Sequence, residues 1–381
     1  SESDSILASI TNNSLMTLAA DLGMPVERRK IRASELADFA EVAACGTAVV
    51  LTPVGRIFNG DEVIDYHFTE IGPQLKKLYD EMTGVQVGER PDRHGDLIME
   101  IFRTPAELQA YALSNKRAGR TIALVPTMGY LHAGHCSLID IARQKADLVI
   151  VSIFVNPIQF GPSEDLDKYP RDFEHDAKLC TEHGADAVFA PEPGVMYAPD
   201  ASTVVEEQKL SRPLCGARRP GHFRGVTTVV AKLFNLALPD YAVFGMKDAQ
   251  QLLVIRRMVR DLNFPVEIVA APLIREHSGL ALSSRNAYLT ADEKERAVIL
   301  SRVLDAARPA LIAGGVEAIP AVLEVMKHEI EKAGGRIDYV EALDASTLET
   351  PNAKTADLLV ALAVYFGNTR LIDNTLVWVK Q

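Results

Sequence analysis

Thr121-Ile122-Ala123-Leu124-Val125-Pro126-Thr127-Met128-Gly129-Tyr130-Leu131-His132-Ala133-Gly134-His135 changes character twice along its length. Its opening apolar run reads as a buried parallel strand. From His135 to Ala146, Leu138, Ile139, Ala142 and Ala146 recur at helical spacing. A strand, a glycine-containing turn and a helix present backbone N–H groups and a positive helix end to a phosphate. His132 and His135 add side-chain donors at that helix start, and Gly129 and Gly134 let the backbone approach a nucleotide without a Cβ in the way. An isolated pair of histidines at this spacing is more often two surface residues. The strand before it, the helix after it and both glycines make this a nucleotide site.

Outward from this turn, strands are expected at 121–126, 148–155, 186–190, 241–245 and 266–271, with helices at 135–146, 172–183, 225–238 and 248–262. The alternation predicts an α/β fold with a doubly wound parallel sheet and ligands at the strands' carboxyl ends. From about 290 the pattern becomes helices near 291–313 and 316–334, then strands near 337–342, 357–365 and 370–377, a small α+β domain. Residues 88–96 are polar and contain Gly and Pro, and read as a linker. The division expected is 1–98, 99–283 and 284–381. The chain opens on Ser1, which suggests a processed, truncated or engineered product, and Met99 reads as a natural start.

The 381 residues allow two or three domains with ample core. A net charge of −11 argues against a nucleic-acid surface, which needs clustered Lys and Arg. Phosphate affinity must therefore be local. Cys45, Cys136, Cys180 and Cys215 show no paired spacing, so neither a zinc site nor a disulfide framework is expected, and a reducing cytoplasm fits. No signal peptide is evident, and the longest apolar runs fall short of a membrane span. Small-molecule substrates are expected, with neither nucleic acid nor membrane as partner.

The stretch Pro126–His135 resembles the HIGH-type signature of the nucleotidyltransferase superfamily, in the form found in the pantoate–β-alanine ligase (pantothenate synthetase) family. Four further stretches, Ser152–Phe160, Arg219–Val226, Phe244–Gln251 and Leu280–Asn286, resemble that family's later motifs in order and spacing, so the resemblance runs from about Met99 to the C-terminus. It implies a Rossmann-like doubly wound sheet, a C-terminal α+β lid and a homodimer. It also implies ATP-dependent condensation of (R)-pantoate with β-alanine through a pantoyl-adenylate.

Such chemistry needs the triphosphate positioned and its developing charge neutralised, with little covalent help from the protein. His132 and His135 are expected on the α- and β-phosphates and Lys247 as a point charge beside them. Ser283, Ser284 and Arg285 would offer hydroxyls and a guanidinium fork to the β- and γ-phosphates. Asp248 would bind the ribose or orient Lys247, and Met128 would pack against the adenylate. The resemblance implies further ATP contacts at Gly129, Tyr130, Leu131, Ala133, Gly134, Gly245, Met246, Ile274 and Leu282. Gln159 and Gln251 are neutral donor–acceptor groups suited to pantoate. Mg²⁺ is expected with ATP, and no protein ligand for it is identified. His222 and Arg224 stand open between a place near substrate and a structural one. Two positions depart from the family pattern: Met246 and Cys215 replace acidic residues.

Residues 1–98 resemble the C-terminal part of a branched-chain aminotransferase, a fold-type IV PLP enzyme, on Ser9-Ile10-Thr11, Ser14-Leu15, Ala44–Ala48 and Thr52–Gly55. PLP catalysis needs a Schiff-base lysine. Lys30, Lys76 and Lys77 match no motif of that family, so an inert fragment with no functional PLP is expected. Two rivals are open. One is another HIGH-superfamily enzyme, an adenylyl- or cytidylyltransferase that leaves the nucleotide on its product. The other is a binding or assembly module built on residues 1–98, or a half-enzyme completed by an upstream fragment.

Overall fold

The computed structural model describes residues 10–27, 31–46, 49–59, 62–66, 71–86, 99–162 and 164–379. The chain divides into two units, residues 1–101 with 186–188, and residues 102–185 with 189–381.

In the first unit, α1 (Ile10–Asp21), the antiparallel pair β1 (Ala43–Gly46) and β2 (Val49–Pro53), the hairpin β3 (Arg56–Asn59) and β4 (Glu62–Asp65), and α2 (Pro73–Gln86) follow in order. Leu15, Leu18, Leu51 and Met82 form the buried cluster, with Ala43, Leu75 and Leu78 against it. The Glu41 carboxylate caps α2 by accepting from the Gln74 and Leu75 N–H groups at 3.2 and 2.9 Å, where the helix end is positive. Phe58 and Val63 stay 70% and 51% exposed on the hairpin. α1 begins where the resemblance places a helix start. Ser9, Thr47, Ala48, Lys30 and the stretch 88–96 lie outside the described residues.

The main sheet uses β5 (Glu100–Phe102), β6 (Ile122–Thr127), β7 (Leu148–Ile153), β8 (Ala187–Phe189), β9 (Tyr241–Gly245) and β10 (Glu267–Ala271), in the order β10-β9-β6-β7-β8-β5. β10, β9, β6 and β7 pair in parallel, with Thr127 beside Ile153 and Gly245 beside Ala271. Ile122 through Val125 and Val149 through Val151 are fully buried. Strands covered on both faces read as continuous apolar runs, which is why these were legible. Six helices accompany the sheet: α3 (Pro105–Arg117), α4 (Ala133–Lys145), α5 (Phe173–Glu182), α6 (Pro193–Met196), α7 (Cys215–Arg218) and α8 (His222–Ala237). A seventh, α9 (Ala249–Leu262), follows β9. β5 and α3 were not foreseen, although Thr104 and Glu107 form a capping box ahead of α3. β7 stops at Ile153, two residues before the expected end, and the chain then turns at Asn156-Pro157.

The last third holds α10 (Ala291–Ala297), α11 (Ile299–Gly314), α12 (Ile319–Lys332) and the antiparallel sheet β11 (Arg336–Asp344), β12 (Asp357–Phe366) and β13 (Thr369–Trp378). The helix expected over 291–313 is two helices meeting at Val298. By length and composition alone, Ala291–Lys332 passes for a membrane span. Here it is divided, and Leu300, Leu304, Leu311, Met326 and Ile330 enter one core with Leu358, Val360, Leu362 and Val364 of β12.

Candidate active site

β6 connects forward to β7 on one side, while β9 pairs on its other side. The carboxyl ends of β6 and β9 therefore form the switch point at which doubly wound sheets open a crevice. A cavity of about 220 Å³ lies there. Its wall includes Pro126–Met128, His132, Gly134 and His135 after β6, and Ser152, Phe154, Asn156 and Gln159 from and after β7. Val226, Val229, Val230 and Leu233 of α8, Lys247, Asp248 and Gln251 after β9, and Ile274 and Leu282–Arg285 also line it. A larger cleft of about 870 Å³ shares Arg219, His222, Lys247, Asp248, Gln251, Ser283 and Arg285, and reaches Asp338, Tyr339, Arg370 and Asn374.

The two histidines cap α4 reciprocally. His132 Nδ1 accepts from Gly134 N–H at 3.1 Å, and His135 Nδ1 accepts from His132 N–H at 3.3 Å. With Nδ1 an acceptor in each ring, the proton of the neutral imidazole sits on Nε2. Burial first, then the Lys247 charge, lowers His132 to about 4. Burial, then His132 and Lys247, lowers His135 to about 3. Both rings are neutral donors at pH 7.

Other backbone groups of the signature do not face the cavity. Tyr130 N–H and Leu131 N–H donate at 2.7 and 2.6 Å to the carboxylate of Asp176, a buried residue of α5. Gly129, Tyr130, Leu131, Ala133 and Met246, expected as nucleotide contacts, are not on the cavity wall. The glycines make room for the protein's own groups. Gly129 has φ +83°, and a Cβ there would lie 2.9 Å from Asp176 Oδ2. A Cβ on Gly134 would lie 2.9 Å from the His132 ring.

Gln159 ends a 3-10 turn, Pro157–Gln159, and is buried. Tyr197 OH donates to Asn156 Oδ1 at 2.8 Å, and Asn156 Nδ2 donates to Gln159 Oε1 at 3.0 Å and to Gly225 O at 3.1 Å. This chain sets the amide orientation and leaves Gln159 Nε2 as the donor facing Met128 Sδ, 3.2 Å away. His222 supports the same turn. Its Nδ1–H donates to Gln159 O at 3.0 Å, while Arg219 Nη1 donates to its Nε2 at 3.0 Å. Burial and then Arg219 bring His222 down to about 4. Arg219 in turn is bidentate to Glu164. His222 is thus a buried prop for Gln159, and Arg224 is exposed off the cavity wall.

Lys247 Nζ donates to Asp248 Oδ2 at 3.0 Å, and Asn374 Nδ2 of β13 holds the Met246 and Lys247 carbonyls at 3.0 and 2.8 Å. The expected hydroxyl-and-fork arrangement at 283–285 is engaged within the protein. Ser283 Oγ accepts from Arg285 N–H, Ser284 Oγ donates to Tyr130 O at 3.1 Å, and Arg285 Nε and Nη2 each meet Asp165 at 3.0 Å. Among the described residues, no group of three or more His, Cys, Asp or Glu is placed to hold a metal ion.

Residues 100–376 match the model of the pantoate-beta-alanine ligase family. The chain belongs to that family. Among curated pantoate–β-alanine ligases, the pantothenate synthetase of Clostridium acetobutylicum is 54% identical over 277 residues, 72% of this chain and 98% of its own. That of Geobacter sulfurreducens is 51% identical over 284 residues, 74% of this chain and all of its own. Of solved structures, a pantothenate synthetase from Thermus thermophilus aligns with a TM-score of 0.68 at 44% identity, over 73% of this chain and 99% of its own. The ligase from Francisella tularensis, solved with beta-gamma ATP and beta-alanine, aligns with a TM-score of 0.63 at 33% identity, over 73% and 97%. Residues 1–57 match the amino-transferase class IV model.

Of the two departures from the ligase pattern, Cys215 packs its Sγ 3.2 Å from Tyr339 OH and 3.7 Å from both Arg370 terminal nitrogens. Gln250, unlike its neighbour Gln251, is structural: it binds Cys215 N, Leu210 O and Pro213 O. Sequence reasoning passed over Asp176, Tyr197 and Asn374, whose partners lie 45, 41 and 128 residues away along the chain. Asn156 stood inside a quoted motif, and its place before Pro157 was the available signal.

Proposed function

We infer that this chain condenses (R)-pantoate with β-alanine, spending ATP to form a pantoyl-adenylate and releasing AMP and pyrophosphate. The observation that carries the reading is two neutral imidazoles with Nε2–H donors and Lys247 beside one cavity, whose other wall is apolar and carries the Gln159 amide. A pantoate carboxylate oxygen attacks the α-phosphorus, and the bond to the bridging oxygen breaks with pyrophosphate leaving. The β-alanine nitrogen then attacks the acyl carbon, AMP leaves, and the nitrogen loses a proton.

In this reading His132, His135 and Lys247 stabilise charge on the α-phosphate and the leaving group. Ser283, Ser284 and Arg285 join them once the triphosphate competes for the groups now held by Asp165 and Tyr130. Met128, Gly245, Asp248, Ile274 and Leu282 border the nucleotide, and Gln159 and Gln251 hold the acid. Mg²⁺ enters with ATP and stays chiefly on phosphate oxygens. Two imidazoles and a lysine are a donor set for anions, so none of them is proposed as its ligand. The enzyme is proposed to act as a cytoplasmic homodimer, with residues 99–283 as the nucleotide and pantoate domain and 284–381 as a lid. Residues 1–98 take no part in catalysis and use no PLP.

The test is AMP and pantothenate formation with ATP, pantoate and β-alanine together and with each omitted. Equal AMP without pantoate overturns acid activation, and a stable nucleotidylated product would mark the other branch of the superfamily.

A further inference from the structure

Ser152 is the penultimate residue of β7, 1% exposed, on the wall of the cavity. Its hydroxyl oxygen is one of two buried side-chain polar atoms with no hydrogen-bond partner among the described residues; the other, Asn286 Oδ1, lies off the cavity wall. Strand alternation sets its direction. The next residue, Ile153, lies against Gly129, so Ser152 faces the opposite side of the sheet. The polar groups nearby are engaged. Thr127 Oγ1 donates to Ser152 O at 2.7 Å, and Asn156 is bound to Gln159 and Gly225. A buried hydroxyl left unpaired is costly and uncommon in native proteins.

We propose that Ser152 is a specificity-determining residue whose hydroxyl hydrogen-bonds the hydroxyl of pantoate remote from the carboxylate. The proposal rests on the ligase reading above. For adenylation the carboxylate must lie toward His132, His135 and Lys247. The remote end is then led along the apolar wall of Phe154, Val226 and Val229, where Ser152 Oγ is the buried polar atom without a partner among the described residues.

The experiment compares wild type with Ser152→Ala, using pantoate, an analogue lacking the terminal hydroxyl, and an analogue lacking the hydroxyl next to the carboxylate. With pantoate, Ser152→Ala should raise KM about 5- to 100-fold, the range expected when a buried ligand group loses its partner. KM for ATP should stay within about twofold, since the residue serves the acid. The same penalty should appear with the analogue that keeps the terminal hydroxyl and vanish with the one that lacks it. Ser152→Ala should also melt at or above wild type, because an unpaired buried hydroxyl is removed. Ser152→Cys, of similar size and a weaker donor, should give an intermediate KM and serves if the alanine variant does not fold. A penalty equal for all three acids, absent from all three, or following the hydroxyl beside the carboxylate overturns the proposal. Failure of the wild type itself to form AMP from pantoate would overturn the ligase reading instead.

Discussion

His135 has two jobs that one substitution can separate. Its Nδ1 caps the helix, while the ring lines the cavity and carries its proton on Nε2. Asparagine retains an acceptor for the cap but lacks the second nitrogen. His135→Asn should fold as wild type while adenylation falls about 10²- to 10³-fold, the loss of one charge-stabilising donor. Pre-steady-state AMP formation beside a thermal melt checks it, and a rate near wild type would remove His135 from the chemistry. The same burial makes a stability prediction. His132, His135 and His222 sit at about 4, 3 and 4 in the folded chain. Unfolded imidazoles titrate near ~6.5, so below that pH the unfolded chain binds more protons. Stability is present in full above ~6.5 and falls as pH drops toward ~4, by up to ~1.4 kcal/mol per pH unit for each histidine. Denaturant midpoints at several pH values measure the slope, and a flat line across this window would mean the rings are not held neutral.

Among the elements, the contact of α8 with the 157–159 turn is the tightest that bears on the site. A Cβ on Gly225 would lie 2.5 Å from Ile158 O and 2.6 Å from Gln159 Cα. Backbone atoms cannot swing aside as a side-chain tip can. Gly225→Ala should therefore cost about 1–3 kcal/mol in stability, as overpacking does. By displacing Gln159 it should raise KM for pantoate more than KM for ATP. Calorimetric titration of the two substrates tests this, and an equal loss for both would mean that the turn does not set the acid pocket alone. Asp176 works in the same way across elements: α5 holds the N–H groups of a turn that contains Gly129 at φ +83° and Tyr130 at φ +52°.

Over the whole molecule, the ligase match begins at residue 100 and takes in the cavity and the C-terminal sheet, whereas residues 1–98 bury, among the described residues, the small cluster of Leu15, Leu18, Leu51 and Met82. A variant beginning at Met99 should keep the kcat and KM values of the full chain, and the full chain with PLP should show no transaminase activity. Kinetics of the two side by side decide it. A fall in kcat on deletion, with the remainder folded, would assign residues 1–98 a part in function. Limited proteolysis of the full chain should cut within the first hundred residues before the ligase portion, since the buried cluster among its described residues is small and contributes little local stability.

Contiguous sequence carried the strands from β6 onward, most helices and the HIGH-type turn, because periodicity and turn chemistry are properties of neighbouring residues. It also brought His132, His135, Gln159, Lys247 and Ser283–Arg285 to one cavity, since each follows the carboxyl end of a strand or its loop. What those groups present was decided by partners distant along the chain. Asp176 took the N–H groups expected to meet phosphate, Asp165 took the Arg285 fork, and Tyr197 through Asn156 turned the Gln159 amide. A side chain's type is written locally, but its free donors are those left after the fold has assigned the others. Only the tertiary structure makes that assignment, because hydrogen bonds depend on ångström-scale approach between segments whose separation along the chain carries no local signal.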